Sequence, residues 1–174
     1  MAGIGISAYG VYIPRYRLSR KTISRAMGWL SPGALPGEKA VTNYDEDSLT
    51  MAVAAGINCL KGADRAVVDS LYFASTTFPY REKESASIIA TALDLGTSIG
   101  TADLANSLRA GTRAILTACG SAGEEGAKNI LVCGSDYRLA RPGSPQEMVF
   151  GDGAAALLLG SSGVIASLDQ SESP

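Results

Sequence analysis

The segment covering residues 98–119 constrains the fold most strongly. An apolar run over residues 98–105 is followed, almost without a loop, by a run with helical spacing over residues 108–119. This pattern predicts a strand that turns directly into a helix. Unpaired N–H groups and the helix dipole would stabilise a thiolate or an oxyanion at that junction. A nucleophile is therefore expected there, yet the residue at the junction is a leucine, Leu108.

The rest of the chain alternates strand and helix patterns. A continuous apolar run over residues 129–134 is typical of a strand that is buried on both faces. Further strands are predicted over residues 3–13, 67–75, 154–159 and 164–168, and helices over 20–27, 48–60 and 84–95. The acidic segment 43–47 is interpreted mainly as capping of the helix that follows it. Such alternation predicts a single α/β layered fold with a mostly parallel sheet.

Two long connections interrupt this alternation. Residues 31–42 contain two prolines and two glycines, and residues 136–150 form the second connection. The first is interpreted either as a lid or pocket wall or as a plain surface connection. Sites in α/β sheets lie at the carboxyl ends of strands. This rule predicts a site built from Thr76 and Thr77, residues 106–109 and residues 134–138, with the turn at 151–153 nearby.

Composition excludes several classes of function. The chain of 174 residues has no histidine, which removes Ser-His-Asp and Cys-His catalysis and the commonest metal ligand, so no metal is predicted. Three widely spaced cysteines form neither a disulfide framework nor a metal-ligand set, and a cytoplasmic protein is expected. A net charge of −2 favours neither nucleic acid nor a membrane surface as a partner. No signal peptide and no membrane-spanning segment are predicted.

Several motifs, in a fixed order, resemble a known family. They are YIPRYR at 12–17, GEKAV at 37–41, NYDEDSLTMA at 43–52, AGT at 110–112, KNILVCGSD at 128–136 and FGDGAAALLLG at 150–160. With these motifs the chain resembles the N-terminal half of hydroxymethylglutaryl-CoA (HMG-CoA) synthase-like proteins. These belong to the thiolase superfamily, which includes thiolases and ketoacyl synthases.

The resemblance implies a layered αβαβα fold made of two similar halves. Residues 1–174 would be the N-terminal half, with the C-terminal half absent. It also implies action on acyl-CoA thioesters by Claisen-type carbon–carbon bond formation or thiolytic cleavage. Coenzyme A thioester would be the substrate, and no covalently bound cofactor is expected. Family members are cytosolic dimers, and such relatives often associate with a small protein that carries an OB-fold and a zinc ribbon.

Two positions depart from the family pattern. Aligning residues 110–112 on the family motif places Leu108 where the family has its nucleophilic cysteine. The general-acid glutamate of the family falls at about Thr76, and threonine cannot supply that acid at neutral pH. Any nucleophile or base would come from the missing half or a partner, and the isolated chain is predicted to be inactive. The alternative is a non-catalytic acyl-CoA-binding or scaffold subunit.

Other residues in the chain could substitute for the missing nucleophile. Ser107 is adjacent, but one helical position rotates its oxygen by about 100°, and capping of the helix is the favoured role. Cys119 is expected about 16 Å further along the helix, and Cys59 is interpreted as a small core residue. Cys133 ends a buried strand at the predicted edge of the sheet. It is the least unsuitable thiol, although core packing is the favoured interpretation.

Basic and glycine residues complete the set of candidate site residues. Arg109 and Arg138, and with them Arg141, could meet an anion of CoA or substrate, or could be solvated surface residues. The glycines at 151 and 153 lie in a turn that the resemblance places beside the active site, where Gly151 and Gly153 would permit close backbone approach. A purely structural role for this turn stays open. The turn lacks the phosphate-loop spacing, so that interpretation is rejected.

Overall fold

A computed structural model describes residues 4–26, 33, 35–122 and 128–168 of the chain. The strands are β1 Gly5–Tyr12, β2 Tyr16–Ser19, β3 Glu38–Val41, β4 Ser70–Ala74, β5 Gly100–Leu104, β6 Asn129–Asp136, β7 Gly153–Gly160 and β8 Ala166–Ser167. The helices are α1 Arg20–Ala26, α2 Ser48–Cys59, α3 Ser85–Ala92, α4 Ala110–Ser121 and α5 Pro145–Val149. Residue 27 of the first predicted helix and residues 31, 32 and 34 of the first predicted connection lie outside the described residues. In the described part of the chain, no helix has the length and apolar character needed to cross a membrane.

Six strands form one mixed sheet in the order β5-β4-β6-β7-β1-β8. Strand β4 is parallel to β5 and β6, whereas the pairs β6–β7, β7–β1 and β1–β8 are antiparallel. The predicted α/β class is confirmed, but the prediction of a mostly parallel sheet is wrong. The reason lies in the connection after β6. Asp136, the last residue of β6, pairs with Gly153, the first residue of β7. The connection therefore starts and ends at the same end of the strands, and β7 runs antiparallel to β6.

Helices α2 and α3 cover one face of the sheet. Met51 and Ala55 of α2 are completely buried in the core on this face, together with Phe73 and Leu131. Helix α2 also approaches β1 closely at Gly10, where a Cβ atom would lie 2.3 Å from the Ala55 carbonyl oxygen. The glycine therefore sets the depth at which α2 sits on the sheet.

Helix α4 covers part of the opposite face. Its buried residues are Ala110, Ala114 and Ala118, which recur every four residues and therefore form one narrow stripe. This stripe packs on a cluster that includes Ile130 and Val132 of β6. Because β6 is covered by helices on both faces, its continuous apolar sequence is explained.

Both predicted long connections contain regular structure and contact each other. The first includes β3, which pairs with β2, and the second includes α5. Arg20 Nε donates a hydrogen bond of 2.7 Å to the Met148 carbonyl, and Lys39 Nζ donates one of 2.8 Å to the Glu147 carbonyl. Two basic side chains thus bind the carbonyl groups of α5, as expected for cations near a helix C-terminus.

Helix boundaries follow local capping. Asp47 accepts the Thr50 N–H at 2.8 Å, and Thr50 Oγ1 accepts the Asp47 N–H at 2.8 Å, which forms a capping box at the start of α2. The capping interpretation of the acidic segment is therefore confirmed for Asp47. Helix α3 ends at Ala92, earlier than predicted, and Asp94 next to it adopts a left-handed conformation with φ of 54°.

Candidate active site

A cavity of about 520 Å³ lies where three parts of the fold meet. These are the carboxyl ends of β4 and β6, the junction between β5 and α4, and the turn before β7. Its lining residues are Ala74, Ser75, Thr76, Ser107, Leu108, Ala110, Gly111, Gly134, Ser135, Asp136, Gly151, Asp152, Gly153, Ala154 and Ala155. The structure thus brings together segments that the sequence placed at one edge of the sheet. Thr77 and Arg138 belong to those segments but do not line the cavity.

Leu108 occupies the junction with its side chain 76% exposed. Helix α4 begins two residues later, at Ala110, and Arg109 is its N-cap residue. The prediction that the helix starts at Leu108 is therefore wrong by two residues. The chain enters the helix through Asn106, which has a φ of 61°, a left-handed conformation that is uncommon outside glycine.

Ser107 lines the same cavity as Leu108. Both residues precede the helix, so the helical rotation of about 100° that separated them in the prediction does not apply. The Ser107 hydroxyl accepts the Arg109 N–H at 3.1 Å, and the Ser107 carbonyl accepts the Ala110 N–H at 3.0 Å. Ser107 thus supports the entry into α4, although it is not the N-cap residue itself.

Asp136 is a site residue to which the sequence prediction gave no role. Its Oδ1 atom accepts four hydrogen bonds: from Ser75 Oγ at 3.0 Å, Thr76 N at 2.7 Å, Thr76 Oγ1 at 2.9 Å and Thr77 Oγ1 at 3.0 Å. Thr76, at the position where the resemblance implies a general acid, thus donates hydrogen bonds to the Asp136 carboxylate. The sequence did contain a signal for this contact. Three consecutive hydroxyl residues, 75–77, follow β4, and Asp136 ends β6, the strand that runs parallel to β4.

Further hydrogen bonds fix the end of β4 to the rest of the protein. Ser48 Oγ, at the buried start of α2, donates to the Thr77 carbonyl at 2.6 Å. The Thr77 N–H donates to Ser75 Oγ at 2.9 Å, and the Tyr137 N–H donates to Thr77 Oγ1 at 3.2 Å. These bonds link β4, β6 and α2, so the cavity floor is a rigid part of the fold.

Asp152 is the second carboxylate in the cavity lining. Its Oδ2 atom accepts the Thr42 N–H at 2.7 Å and the Thr42 hydroxyl at 3.2 Å. The Asp152 N–H donates to the Ala40 carbonyl at 3.1 Å. The connection that contains β3 therefore supports the turn from behind. None of its described residues lines the cavity, so the pocket-wall interpretation stays a prediction. A Cβ atom at Gly151 or Gly153 would meet the protein only at ordinary contact distances of 3.4 Å or more, so protein packing does not require glycine there.

The cysteines lie away from the cavity lining. Cys133 is completely buried against α2, and burial raises the pKa of its thiol. The favoured interpretation of Cys133 as a core-packing residue is therefore confirmed, and its side chain lies on the face opposite α4. Cys59 lies in the same core, where burial raises its pKa to about 11. Cys119 is half-buried on α4, and burial raises its pKa as well.

The candidate arginines also lie outside the cavity lining. Arg109 is exposed beside the junction, and Arg141 is exposed in the connection after β6. The Arg138 guanidinium stacks on the Phe150 ring, with 4.3 Å between the guanidinium carbon and the ring centroid. Such a contact holds Arg138 against the start of the turn that contains Gly151.

A second cavity of about 380 Å³ adjoins the first and shares Ser75 and Thr76 with it. Asp103 lines this cavity, and its two carboxylate oxygens accept the Ser85 and Ala86 N–H groups at 2.6 and 2.8 Å. Burial raises the pKa of Asp103, while the two helix N–H groups lower it. Asp103, on β5, therefore caps the start of α3, a role that was not predicted from the sequence.

These features define the class of fold. A mixed sheet has helices on both faces and a cavity at the strand ends beside the start of α4. Solved structures with this fold include the priming β-ketosynthase of the R1128 polyketide pathway, with a TM-score of 0.80 and 23% identity over 93% of this chain and 51% of that one. An HMG-CoA synthase complexed with CoA gives a TM-score of 0.81 with 22% identity, over 92% of this chain and 42% of that one. The fold is that of the thiolase-like enzymes, as predicted.

Sequence comparison finds curated relatives with higher identity. HMG-CoA synthase of Thermococcus gammatolerans is 38% identical over 160 residues, which are 90% of this chain and 45% of the relative. HMG-CoA synthase of Methanocaldococcus jannaschii is 37% identical over 168 residues, 93% of this chain and 49% of the relative. No family model matches the chain. The chain spans about half the length of the curated relatives it matches, and over that span its sequence is similar to HMG-CoA synthases.

Proposed function

We propose that the chain is one half of an acyl-CoA acyltransferase of the condensing class, which forms carbon–carbon bonds by a Claisen-type reaction or cleaves them by thiolysis. The cavity at the strand ends carries this proposal, because its walls of alanine, glycine and small hydroxyl residues leave room for an acyl group beside the start of α4. Two comparisons support it: the curated relatives are HMG-CoA synthases, and one structure of the same fold is complexed with CoA.

The acyl group would not be carried by this chain. Leu108 stands at the cavity where the resemblance implies a cysteine, and leucine has no nucleophilic atom. None of the three cysteines of the chain is among the described lining residues. The nucleophile and the base would therefore come from a second half or from a partner.

Exposed apolar residues beside α4 support the proposal of a second half. Tyr9 and Val11 of β1 are 66% and 55% exposed, and they pair with Leu157 and Ala155 of β7. Leu157 packs against the α4-side core, so these residues share the sheet face that α4 covers only in part. The proposed domain organisation is that residues 1–174 form the N-terminal half and that the C-terminal half packs on this face.

The proposed assembly is a cytoplasmic homodimer. Within the described part of the chain β5 pairs only with β4, so its other edge presents backbone groups for pairing with a second copy. The small partner protein with an OB-fold and a zinc ribbon belongs to the same proposal. Purification of the natural protein with its bound partners, followed by measurement of the mass of the assembly, tests both points.

The alternative function is a non-catalytic acyl-CoA-binding or scaffold subunit. The exposed leucine at the junction favours it, because the position at which the resemblance implies a nucleophilic cysteine holds no group that can be acylated. Turnover of acetyl-CoA and longer acyl-CoAs by the complete protein, measured together with CoA binding, separates the two functions. Condensation or thiolysis supports the enzyme, and binding without turnover supports the scaffold. Turnover by the 174-residue chain alone would contradict the proposal.

A further inference from the structure

We propose that the second cavity is a subsite for a carboxylate at the far end of an acyl group, and that Arg81 and Lys83 bind this carboxylate. The inference rests on the proposed function, since it assumes that the acyl part of an acyl-CoA enters the first cavity. It adds a second binding site, the chemical class of the acyl group and the residues that recognise it.

The second cavity continues from the first. Ser75 and Thr76 line both cavities, and the second has a volume of about 380 Å³. The hydroxyl groups of these two residues donate to Oδ1 of Asp136 at 3.0 and 2.9 Å, which fixes the boundary between the cavities. An acyl group in the first cavity would therefore extend its far end past a rigid boundary into the second.

Two cationic side chains line the second cavity. They belong to Arg81 and Lys83, and Tyr80 and Asn106 lie beside them in the lining. Lys83 Nζ lies over the Tyr80 ring, 5.0 Å from the ring centroid, and this contact holds the ammonium group at the cavity. Within the described part of the chain, the Arg81 side chain forms no ion pair and no hydrogen bond. A guanidinium binds a carboxylate through two parallel hydrogen bonds, and an ammonium adds a point charge, so this pair fits a carboxylate.

The acidic groups near these cations have other partners or lie elsewhere. Asp103 is the only carboxylate among the described residues that line the second cavity, and both of its oxygens accept N–H groups at the start of α3. Glu84 accepts the Thr101 hydroxyl at 2.8 Å, and Glu82 does not line the cavity. Asp136 belongs to the first cavity, where four hydrogen bonds converge on its Oδ1 atom. The excess charge of the second cavity is therefore positive.

The attraction has a limited strength, because both cations are exposed to water. Exposed ion pairs contribute little, so a carboxylate at the far end of the acyl group should raise affinity about fivefold over a neutral group of equal length. Dissolved salt screens such pairs. The gain in affinity should therefore decrease as ionic strength rises, which a purely structural role of these residues would not cause.

Binding of paired four-carbon ligands to the complete protein tests the inference. In calorimetric titrations at low ionic strength, succinyl-CoA should bind about fivefold more tightly than butyryl-CoA, with free CoA as the reference. Arg81→Gln and Lys83→Gln each remove one charge from an exposed position, so both variants should fold. Each should bring the ratio of succinyl-CoA to butyryl-CoA affinity towards one and leave the affinity for butyryl-CoA unchanged.

Lys61→Gln is the matched control. Lys61 is exposed between α2 and β4, at the end of β4 opposite to Ser75, so this variant removes the same charge far from the cavity and should leave the ratio unchanged. Equal affinity for succinyl-CoA and butyryl-CoA, with both still bound, would overturn the inference and leave the proposed function intact. An equal loss of affinity for free CoA in the Arg81 and Lys83 variants would also overturn it, because the cations would then bind the phosphates of CoA. Failure to bind any CoA compound would refute both the proposed function and the inference.

Discussion

The hydroxyl of Thr76 donates a hydrogen bond of 2.9 Å to Oδ1 of Asp136, which joins the end of β4 to the end of β6. The resemblance implies a general-acid glutamate at about Thr76, whereas the structure has threonine there and a carboxylate on the neighbouring strand. The cavity therefore retains a carboxylate beside that position, while the position of the nucleophile holds Leu108. The cavity lies at the strand ends beside the start of α4, and no cysteine is among its described lining residues.

Removal of the Asp136 carboxylate should destabilise the fold. Asp136→Ala leaves four donors without their acceptor, and we expect a loss of about 2–4 kcal/mol in the free energy of unfolding, measured with urea. Asp136→Asn retains an acceptor oxygen and should lose about 1 kcal/mol. Equal stabilities of the alanine variant and the wild type would show that the network does not hold the strand ends together.

A cysteine introduced at Leu108 should be activated by the start of α4. In Leu108→Cys the thiol would stand near unpaired N–H groups, so we expect its pKa to lie below the ordinary thiol value of about 8.5. The measurement is the pH dependence of alkylation at that residue, followed by peptide mass spectrometry. Leu116→Cys, two turns further along α4, provides the control. If both thiols have the same pKa, the start of α4 does not lower the pKa of a thiol at the junction.

The native cysteines should report their burial. We expect Cys133 to remain unlabelled by a thiol reagent in the folded protein and to be labelled after unfolding, because its side chain is completely buried. Cys119 should react in the folded state, since it is half-buried. Labelling of Cys133 at the rate of Cys119 would revive Cys133 as a candidate nucleophile.

Asp103 should make stability depend on pH. Burial raises its pKa in the folded protein, so the folded state binds the Asp103 proton more tightly than the unfolded chain does. Its stabilising contribution is therefore complete below the ordinary aspartate value of about 3.9 and is lost as pH rises through the higher folded pKa. Urea unfolding between about pH 3.5 and 6 should show the wild type losing stability relative to Asp103→Asn. The opposite slope would mean that the helix N–H groups outweigh burial.

Gly10 should tolerate no side chain. In Gly10→Ala the added Cβ atom would lie 2.3 Å from both the Ala55 carbonyl oxygen and the Cys59 nitrogen, and backbone atoms cannot move aside. We expect a loss of about 3 kcal/mol or more in the free energy of unfolding. The control is Gly120→Ala in α4, where the added Cβ atom would meet nothing within 4 Å beyond its chain neighbours and its own helix backbone, and alanine should stabilise the helix by about 0.5–1 kcal/mol. Similar effects of the two changes would contradict the close packing of α2 on β1.

The sequence predicted those parts of the fold that depend on local pattern. The period of helix α2, its cap at Asp47 and the buried run of β6 were all readable, because capping and hydrophobic spacing are local properties. The antiparallel direction of β7 could not be predicted from the sequence, because pairing between distant strands leaves no local signal. For the same reason the prediction included the edge where the cavity lies but gave no role to Asp136, whose importance arises only when the ends of β4 and β6 meet.

The central claim is that this chain forms an acyl-CoA cavity but does not carry the acyl group. The most direct test incubates the complete protein with acetyl-CoA, digests it, and locates acetyl groups by peptide mass spectrometry. We predict that CoA compounds bind and that no peptide from residues 1–174 carries an acyl group at Ser107 or at any cysteine. A stable acyl adduct on one of these residues, formed with acetyl-CoA and lost when the residue is changed, would contradict the account.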